Sequence, residues 1–436
     1  MKIRFIKMGI NGEGIGYLDR KPVFCDGVLP GETAEVEITE DSGRFIRAKL
    51  RKIIERSEDR VRPLCPYQRE CGGCALMCLK KEKHKEYKKQ LLEEALYKYG
   101  NVKRHFVRQV HEGEKFTGFR NQLKLPVREI DGKLVSGMYK TGTNHFLAVD
   151  ECAVHDPLLE KTRKEVLNVL NRHALKAYDK KTKSGIRCLV MRVMDEKVQC
   201  TLITGHDKFT ASCVEDLMKT EHLVSLFQSV NTETKGSAFF GSKTVLLAGE
   251  KTLALETNGI RLQLSPQSFF QLNREQAEKM YAMAVSKVDP CGLLVEAYCG
   301  IGAMSLMAAK KADRVIGIEY IQDAIDNAKQ NAEFNGIANC EFLCADAAEG
   351  LYKAARKQPV DCLLADPPRS GMDENMIAAI LKVLPEKIVY ISCNPATLAK
   401  NLKDLKKSYQ VQTVIPYDLF PFTPHIESIT VLTRNG

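Results

Sequence analysis

The chain reads as a multidomain protein: an N-terminal OB-like β-barrel, a central α+β domain and a C-terminal doubly wound, Rossmann-like α/β domain. Three observations predict this. A length of 436 residues exceeds what one hydrophobic core serves, so two or three domains are expected. Residues 1–56 hold short β-type runs between closely spaced glycines. From residue 263 onward, strands alternate with helical stretches, the pattern of a parallel sheet covered on both faces.

In the first segment, KIRFIKM, TAEVEIT and RFIRAKLRKII alternate or carry β-branched residues, and Gly9, Gly12, Gly14, Gly16, Gly27, Gly31 and Gly43 punctuate them. Five strands in so short a stretch predict a small closed barrel. Residues 79–99 read as a lysine-rich helix, with Tyr87, Leu91, Leu92, Ala95, Leu96 and Tyr99 on one face. Lys80, Lys81, Lys83, Lys85, Lys88 and Lys89 cluster towards its start, as a solvated face or as an RNA contact. Within the central domain, 57–262, NQLKLPV, LVSGMY, RCLVMRV and VQCTLI read as strands with occasional helices between them. The last domain, 263–436, carries LLVEAY, RVIGIE, CEFLCAD, DCLLADPP and KIVYISC as strands. Helices near 303–312, 321–335, 373–384 and 396–408 separate most of them.

No apolar run approaches the ~20 residues that span a bilayer, and the start, MKIRFIKMGINGEG, lacks a secretory core. A cytoplasmic protein is expected, with no membrane and no protein partner implied. The net charge of +10 fits a polyanion such as RNA, although a solvated basic surface has the same composition. Fifteen cysteines in a reducing compartment are not a disulfide scaffold. Most, including Cys299, Cys344 and Cys362, are expected as small buried hydrophobes. Cys65, Cys71 and Cys74, with Gly72-Gly73 between the last two and Cys152 downstream, read instead as a metal site for zinc or an iron–sulfur cluster.

Three motifs of the α/β domain fall at strand ends, and ligands of open α/β sheets bind beyond the carboxyl ends of the strands. Gly300-x-Gly302 lets backbone approach a ligand at a helix N-terminus. Position 305 is Ser, so the third glycine of a dinucleotide loop is missing. Glu319 ends the next strand, where a carboxylate accepts from ribose hydroxyls. Asp366-Pro367-Pro368-Arg369 makes a rigid extended loop, and Cys393 ends KIVYISC. Glu296, Glu319, Asp346 and Asp366 at consecutive strand ends are more than strand termination calls for. A cofactor loop, a flat-ligand clamp and a thiol together predict covalent chemistry on a base.

These residues carry two resemblances. Gly14-Ile15-Gly16-Tyr17 and Leu29-Pro30-Gly31-Glu32 resemble the TRAM domain, an RNA-binding barrel of RNA-modifying enzymes. QSFFQLN (267–273), EAYCGIGAMS (296–305), DPPRSGM (366–372), SCNPATLAKNL (392–402) and HIES (425–428) resemble the S-adenosylmethionine-dependent RNA uracil-5 methyltransferases. The resemblance implies Cys393 as nucleophile and Glu427 as general base. It also implies Gln271, Tyr298, Gly300, Gly302, Glu319, Asp346 and Asp366 around the cofactor, with Asp366 shared with the uracil. DPPRSGM holds no thiol, unlike the cytosine enzymes. A helix starting at Pro395 is expected to lower the Cys393 pKa. Lys400-Asn401 departs from the usual Arg-Asp, on what reads as helix surface.

Cys65, Cys71, Cys74 and Cys152 resemble the [4Fe–4S] site of the rRNA-acting branch, with zinc as the alternative and Cys78 left out. The tRNA-acting bacterial branch generally lacks the barrel and the cysteines, so 23S rRNA is the implied substrate and tRNA the alternative. The rival reading is a non-catalytic RNA-binding or assembly factor, which requires neither Cys393 nor Glu427.

Overall fold

The computed structural model describes residues 1–233 and 239–436. Strands β1 (Lys2–Met8), β2 (Gly14–Leu18), β3 (Lys21–Cys25), β4 (Thr33–Asp41) and β5 (Ile46–Glu55) close into a barrel in the order β1-β2-β3-β5-β4. Alternation along β1 turns Ile3 and Phe5 inward, where they meet Val23, Ala34, Val36 and Ile46. Gly16 is needed where β2 pairs with β1 beside a register shift, since a Cβ there would lie 2.7 Å from the Arg4 carbonyl oxygen.

A short helix α1 (Gln68–Cys71) precedes α2 (Lys81–Ala95), which winds into a π-helical turn over Leu96–Gly100. That turn changes the helical register. Leu96 and Gly100 face inward while Tyr99 is 53% exposed, so Tyr99 leaves the apolar face on which the sequence places it. Lys88 departs in the other direction: it is fully buried. Leu92, Leu96, Val102, Val107 and Val110 share a core with Leu398, Ala399, Leu402 and Val414.

The central sheet has the order β12-β11-β10-β9-β6-β7-β8. Its strands are β6 (Gln122–Ile130), β7 (Lys133–Tyr139), β8 (Phe146–Ala148), β9 (Ile186–Met194), β10 (Lys197–Thr204), β11 (Leu223–Val230) and β12 (Lys243–Gly249). Helices α3 (Pro157–Arg172) and α4 (Ala211–Met218) pack against it through Leu159, Val166, Leu170, Cys213 and Leu217.

A hairpin, β13 (Leu253–Thr257) and β14 (Ile260–Leu264), and helix α5 (Arg274–Ser286) join the core of the last sheet through Leu255, Leu262, Leu264 and Met280. There β15 (Cys291–Ala297), α6 (Ala303–Ala308), β16 (Ala312–Glu319), α7 (Gln322–Phe334), β17 (Cys340–Cys344), α8 (Ala347–Ala354) and β18 (Cys362–Ala365) follow one another. Then come α9 (Glu374–Val383), β19 (Lys387–Ser392), α10 (Pro395–Leu405), β20 (Tyr409–Tyr417) and β21 (Glu427–Arg434). The strand order β17-β16-β15-β18-β19-β21-β20 reverses beside β15, the switch point where open α/β sheets take ligands.

Strands β15 to β19 are parallel, but β21 lies antiparallel between β19 and β20, with Ser428 opposite Ser392. Its first residue, Glu427, therefore arrives at the carboxyl end of β19. Residues 107–111 line the outer edge of β20: Arg108 N donates to Val414 O at 2.8 Å and His111 N to Pro416 O at 2.9 Å. Cys299 and Cys362 are buried as expected, whereas Cys344 is exposed because it ends the edge strand β17. No helix among the described residues is long and apolar enough to cross a membrane.

Candidate active site

The turn after β15 is built from left-handed backbone. Tyr298 (φ 65°), Gly300 (φ 52°) and Gly302 (φ 81°) all have positive φ, a strained state for a tyrosine that surrounding contacts must hold. Cys299 N donates to Ile318 O at 3.0 Å, and Gly302 N to Cys299 O at 2.9 Å. Gly300 has open space around its Cα, whereas a Cβ on Gly302 would lie 2.9 Å from the Phe342 ring. The second glycine thus serves close packing rather than ligand contact. Glu319 braces the turn, accepting from Gly300 N at 3.2 Å, Tyr320 N at 2.9 Å and Ile321 N at 3.1 Å.

A cavity of about 1020 Å³ opens beyond these strand ends. Gln271, Tyr298, Gly300, Glu319, Asp346, Asp366, Cys393 and Glu427 line it, and Gly302 does not. Asp346 also caps α8, its Oδ1 accepting from Ala348 N at 3.0 Å. The Gln271 backbone is tied to the residue that leads into the central sheet by Asn121 Nδ2, which donates to its carbonyl at 3.0 Å, and the Gln271 side chain lies close enough to the buried Tyr281 hydroxyl to influence it.

Cys393, Asp366 and Glu427 lie within electrostatic reach of one another. Burial, then Glu427 and Asp366, push the Cys393 thiol up to about 12, with Arg369 opposing. The expected lowering by the following helix does not occur. Asn394 Oδ1 already accepts from Ala396 N at 3.0 Å, and two carboxyls face the thiol. Burial raises Asp366 to about 7, and burial with Asp366 raises Glu427 to about 8. Arg369 bridges this group to His425 Nδ1 at 3.5 Å.

Glu296, 1% exposed, is bonded to the Ser305 hydroxyl, and burial raises its pKa from 4.5 to about 8. The folded state therefore holds this proton to about pH 8, while an unfolded glutamate releases it near 4.3. Stability is lost as pH rises between those values. Glu296→Gln is expected to raise the melting temperature at pH 8.5 by several degrees and to change little at pH 4.5, as thermal unfolding at both pH values would show.

Asn401 sits on no surface. Only 4% exposed, it accepts from Met372 N at 3.0 Å and the Tyr390 hydroxyl at 2.8 Å, and donates to Met372 O at 2.8 Å. The departure from Arg-Asp thus pins the Asp-Pro-Pro-Arg loop to α10.

This fold and site have counterparts. Residues 242–435 match the tRNA (Uracil-5-)-methyltransferase family, and residues 2–50 match the TRAM domain. An uncharacterized RNA methyltransferase of Enterococcus faecalis is 35% identical over 100% of this chain and 97% of its own. One from Bacillus cereus is 35% identical over 98% and 95%. The chain belongs to the RNA uracil-5 methyltransferase family. The fold extends to a solved structure, the Pyrococcus abyssi tRNA (uracil-54, C5)-methyltransferase with S-adenosyl-L-homocysteine. Its TM-score is 0.78 at 23% identity, covering 99% of this chain and 100% of that one.

In this S-adenosylmethionine-dependent RNA methyltransferase, the cysteine quartet stands beside the cavity. Cys65, Cys71, Cys74 and Cys152 are free, half-buried thiols within electrostatic reach of one another. Burial, then the other thiols, push Cys74 up to about 12. Burial raises Cys152, but the neighbouring His155 side chain and the backbone N–H groups of Val154 and His155 together outweigh it, and the net direction is down. His155 is anchored by Glu160 at 2.6 Å. Among the described residues, no group of three or more His, Cys, Asp or Glu is gathered to hold a metal ion. Gly73, between two of these cysteines, reaches the cavity wall.

Arg120, Tyr281, Phe420 and Thr423, which no sequence motif singles out, also line the cavity. Lys88 is neither part of a solvated face nor an RNA contact, since it is fully buried. Its spacing from His84, Leu91, Leu92 and Ala95, all buried, carried the signal: position 88 falls on the inward stripe.

Proposed function

We propose that this enzyme methylates C5 of a uridine in 23S rRNA through a covalent adduct between Cys393 Sγ and C6. The observation that carries the reading is the meeting of Cys393, Glu427 and Asp366 at one end of a cavity large enough for a cofactor and a base. When bound, S-adenosylmethionine supplies an electrophilic methyl group. Tyr298, Gly300 and Glu319 would hold it, with Gln271 and Asp346 at the walls and Gly302 shaping the turn. The open backbone at Gly300 and the carboxylate of Glu319 at a strand end fit a ribose.

C5 of uracil is a poor nucleophile. Addition of the Cys393 thiolate to C6 moves an electron pair into the ring and makes C5 nucleophilic. After C5 takes the methyl, the carboxylate of Glu427 removes the C5 hydrogen, the C5–C6 double bond re-forms and the thiolate leaves. A carboxyl raised to about 8 is a stronger base than an ordinary one. Asp366 would contact the cofactor and the uracil edge.

The barrel, the lysine-rich helix and the central domain favour a folded RNA whose target must be extruded, because a thiol does not reach C6 within a stack. Purified enzyme with labelled S-adenosylmethionine, offered unmodified 23S rRNA and tRNA separately, is expected to label the rRNA. Label in tRNA alone would overturn the substrate assignment and leave the chemistry standing.

Four half-buried thiols within electrostatic reach of one another, although not gathered around a common centre among the described residues, support a [4Fe–4S] cluster, which the resemblance to the rRNA-acting branch favours over zinc. Methyl transfer moves electron pairs and needs no redox step, so the cluster is structural or orients RNA. Protein purified without oxygen is expected to be brown and to carry iron and sulfide, and Cys65→Ser to lose both. Stoichiometric zinc without iron would overturn the cluster.

A further inference from the structure

Residues 418–426, between β20 and β21, form a cavity wall through Phe420, Thr423 and His425 and deliver the chain to Glu427. The segment is held from outside the α/β sheet. Lys88 of α2 has a fully buried side chain, and its ammonium donates to Asp418 Oδ1 at 2.6 Å and to the Phe420 carbonyl at 3.0 Å. Asp418 Oδ1 also accepts from Phe420 N at 3.0 Å. Lys83, Lys85 and Lys89 of the same helix pair with carboxylates nearer the surface. Burying one ammonium completely is costly unless its geometry is well satisfied.

The network continues from the Phe420 carbonyl. Thr423 Oγ1 donates to that oxygen at 2.8 Å and accepts from His425 N at 3.2 Å. A hydrogen-bonded line therefore runs from Lys88 Nζ to the His425 backbone, next but one to Glu427. Other contacts grip the segment along its length. Leu76 N donates to Phe422 O at 2.8 Å, and Asn273 Nδ2 to Leu419 O at 3.1 Å. Phe422, at φ 64°, seats its ring 5.6 Å from His84 and 5.7 Å from Phe116.

We propose that Lys88 and Asp418 are positioning residues for the general base: they lock residues 418–426 so that Glu427 stays facing Cys393 when a uridine enters. The inference rests on the assignment of Glu427 under Proposed function. It predicts a defect confined to the step after methyl transfer.

The test uses the double variant Lys88→Met/Asp418→Leu, which removes both charges and leaves neither buried alone. In single turnover, adduct formation is expected within about threefold of wild type, and product release slowed at least about tenfold. The adduct should persist on a denaturing gel, as in Glu427→Gln run beside it. Thr423→Val severs the line beyond Phe420 and should show the same partition more weakly, with Thr423→Ser restoring release. If the double variant does not fold, the Thr423 pair decides alone. Equal slowing of both steps, or release at the wild-type rate, overturns the proposal. Free release by Glu427→Gln removes the base assignment and this proposal with it. A trapped adduct in Glu427→Gln but not in the positioning variants removes only the latter.

Discussion

Cys393→Ala is expected to lose methylation by at least about a thousandfold, a barrier increase of about 4 kcal/mol, while S-adenosylmethionine binding is unchanged. The thiol stands at the end of β19, half-buried, with its backbone neighbours fixed by Asn394 and the pairing to β21. Removing sulfur therefore leaves strand and helix in place and deletes only the group that adds to C6. In the free enzyme the thiol is held up to about 12 by burial and two carboxyls, so thiol-directed alkylation should be slow until a cationic cofactor joins Arg369. Label transfer and calorimetric cofactor binding measure the two halves of this expectation. Residual turnover above one part in about a thousand would sink the covalent route.

Glu427→Gln is expected to methylate once and stop. Adduct forms because Cys393 is intact, but nothing removes the C5 hydrogen, so elimination stalls. Enzyme and RNA should then co-migrate on a denaturing gel, and the band should vanish in the Cys393→Ala background. The pH dependence has a definite sign. Glu427 must be ionised to act, and burial raises its carboxyl to about 8, so product release should rise with pH up to about that value. Fast multiple turnover by Glu427→Gln would move the base elsewhere.

How much of this was legible in the sequence follows from topology. The glycine turn, Asp366 and Cys393 follow β15, β18 and β19, parallel strands that are neighbours in the sheet and whose ends share one edge of it. The barrel was equally readable, because period-two alternation and glycine turns are local signals. The meeting of Glu427 with Cys393 was implied by family resemblance, not by spacing. It depends on β21 inserting antiparallel beside β19, which no local pattern announces. Tyr99 was misplaced because a π turn shifts the register within one helix. Lys88 and Asn401 belong to residue types that usually lie on the surface, yet both are buried. Their burial follows from partners distant in sequence, Asp418 and Met372.

The shared packing of residues 92–110 with α10 and β20 bears on how the protein is made. Leu92, Leu96 and Val102 emerge from the ribosome early, yet the surface that covers them is synthesised some three hundred residues later. At elongation rates of about 5–20 residues per second that interval is roughly 15–60 s. During it an apolar helix face and the strand-like stretch 107–111 stay unmated, open to chaperones and to other nascent chains. The α/β region is therefore discontinuous in the gene product. A fragment beginning at residue 263 would leave the α10 surface bare and the β20 edge unprotected.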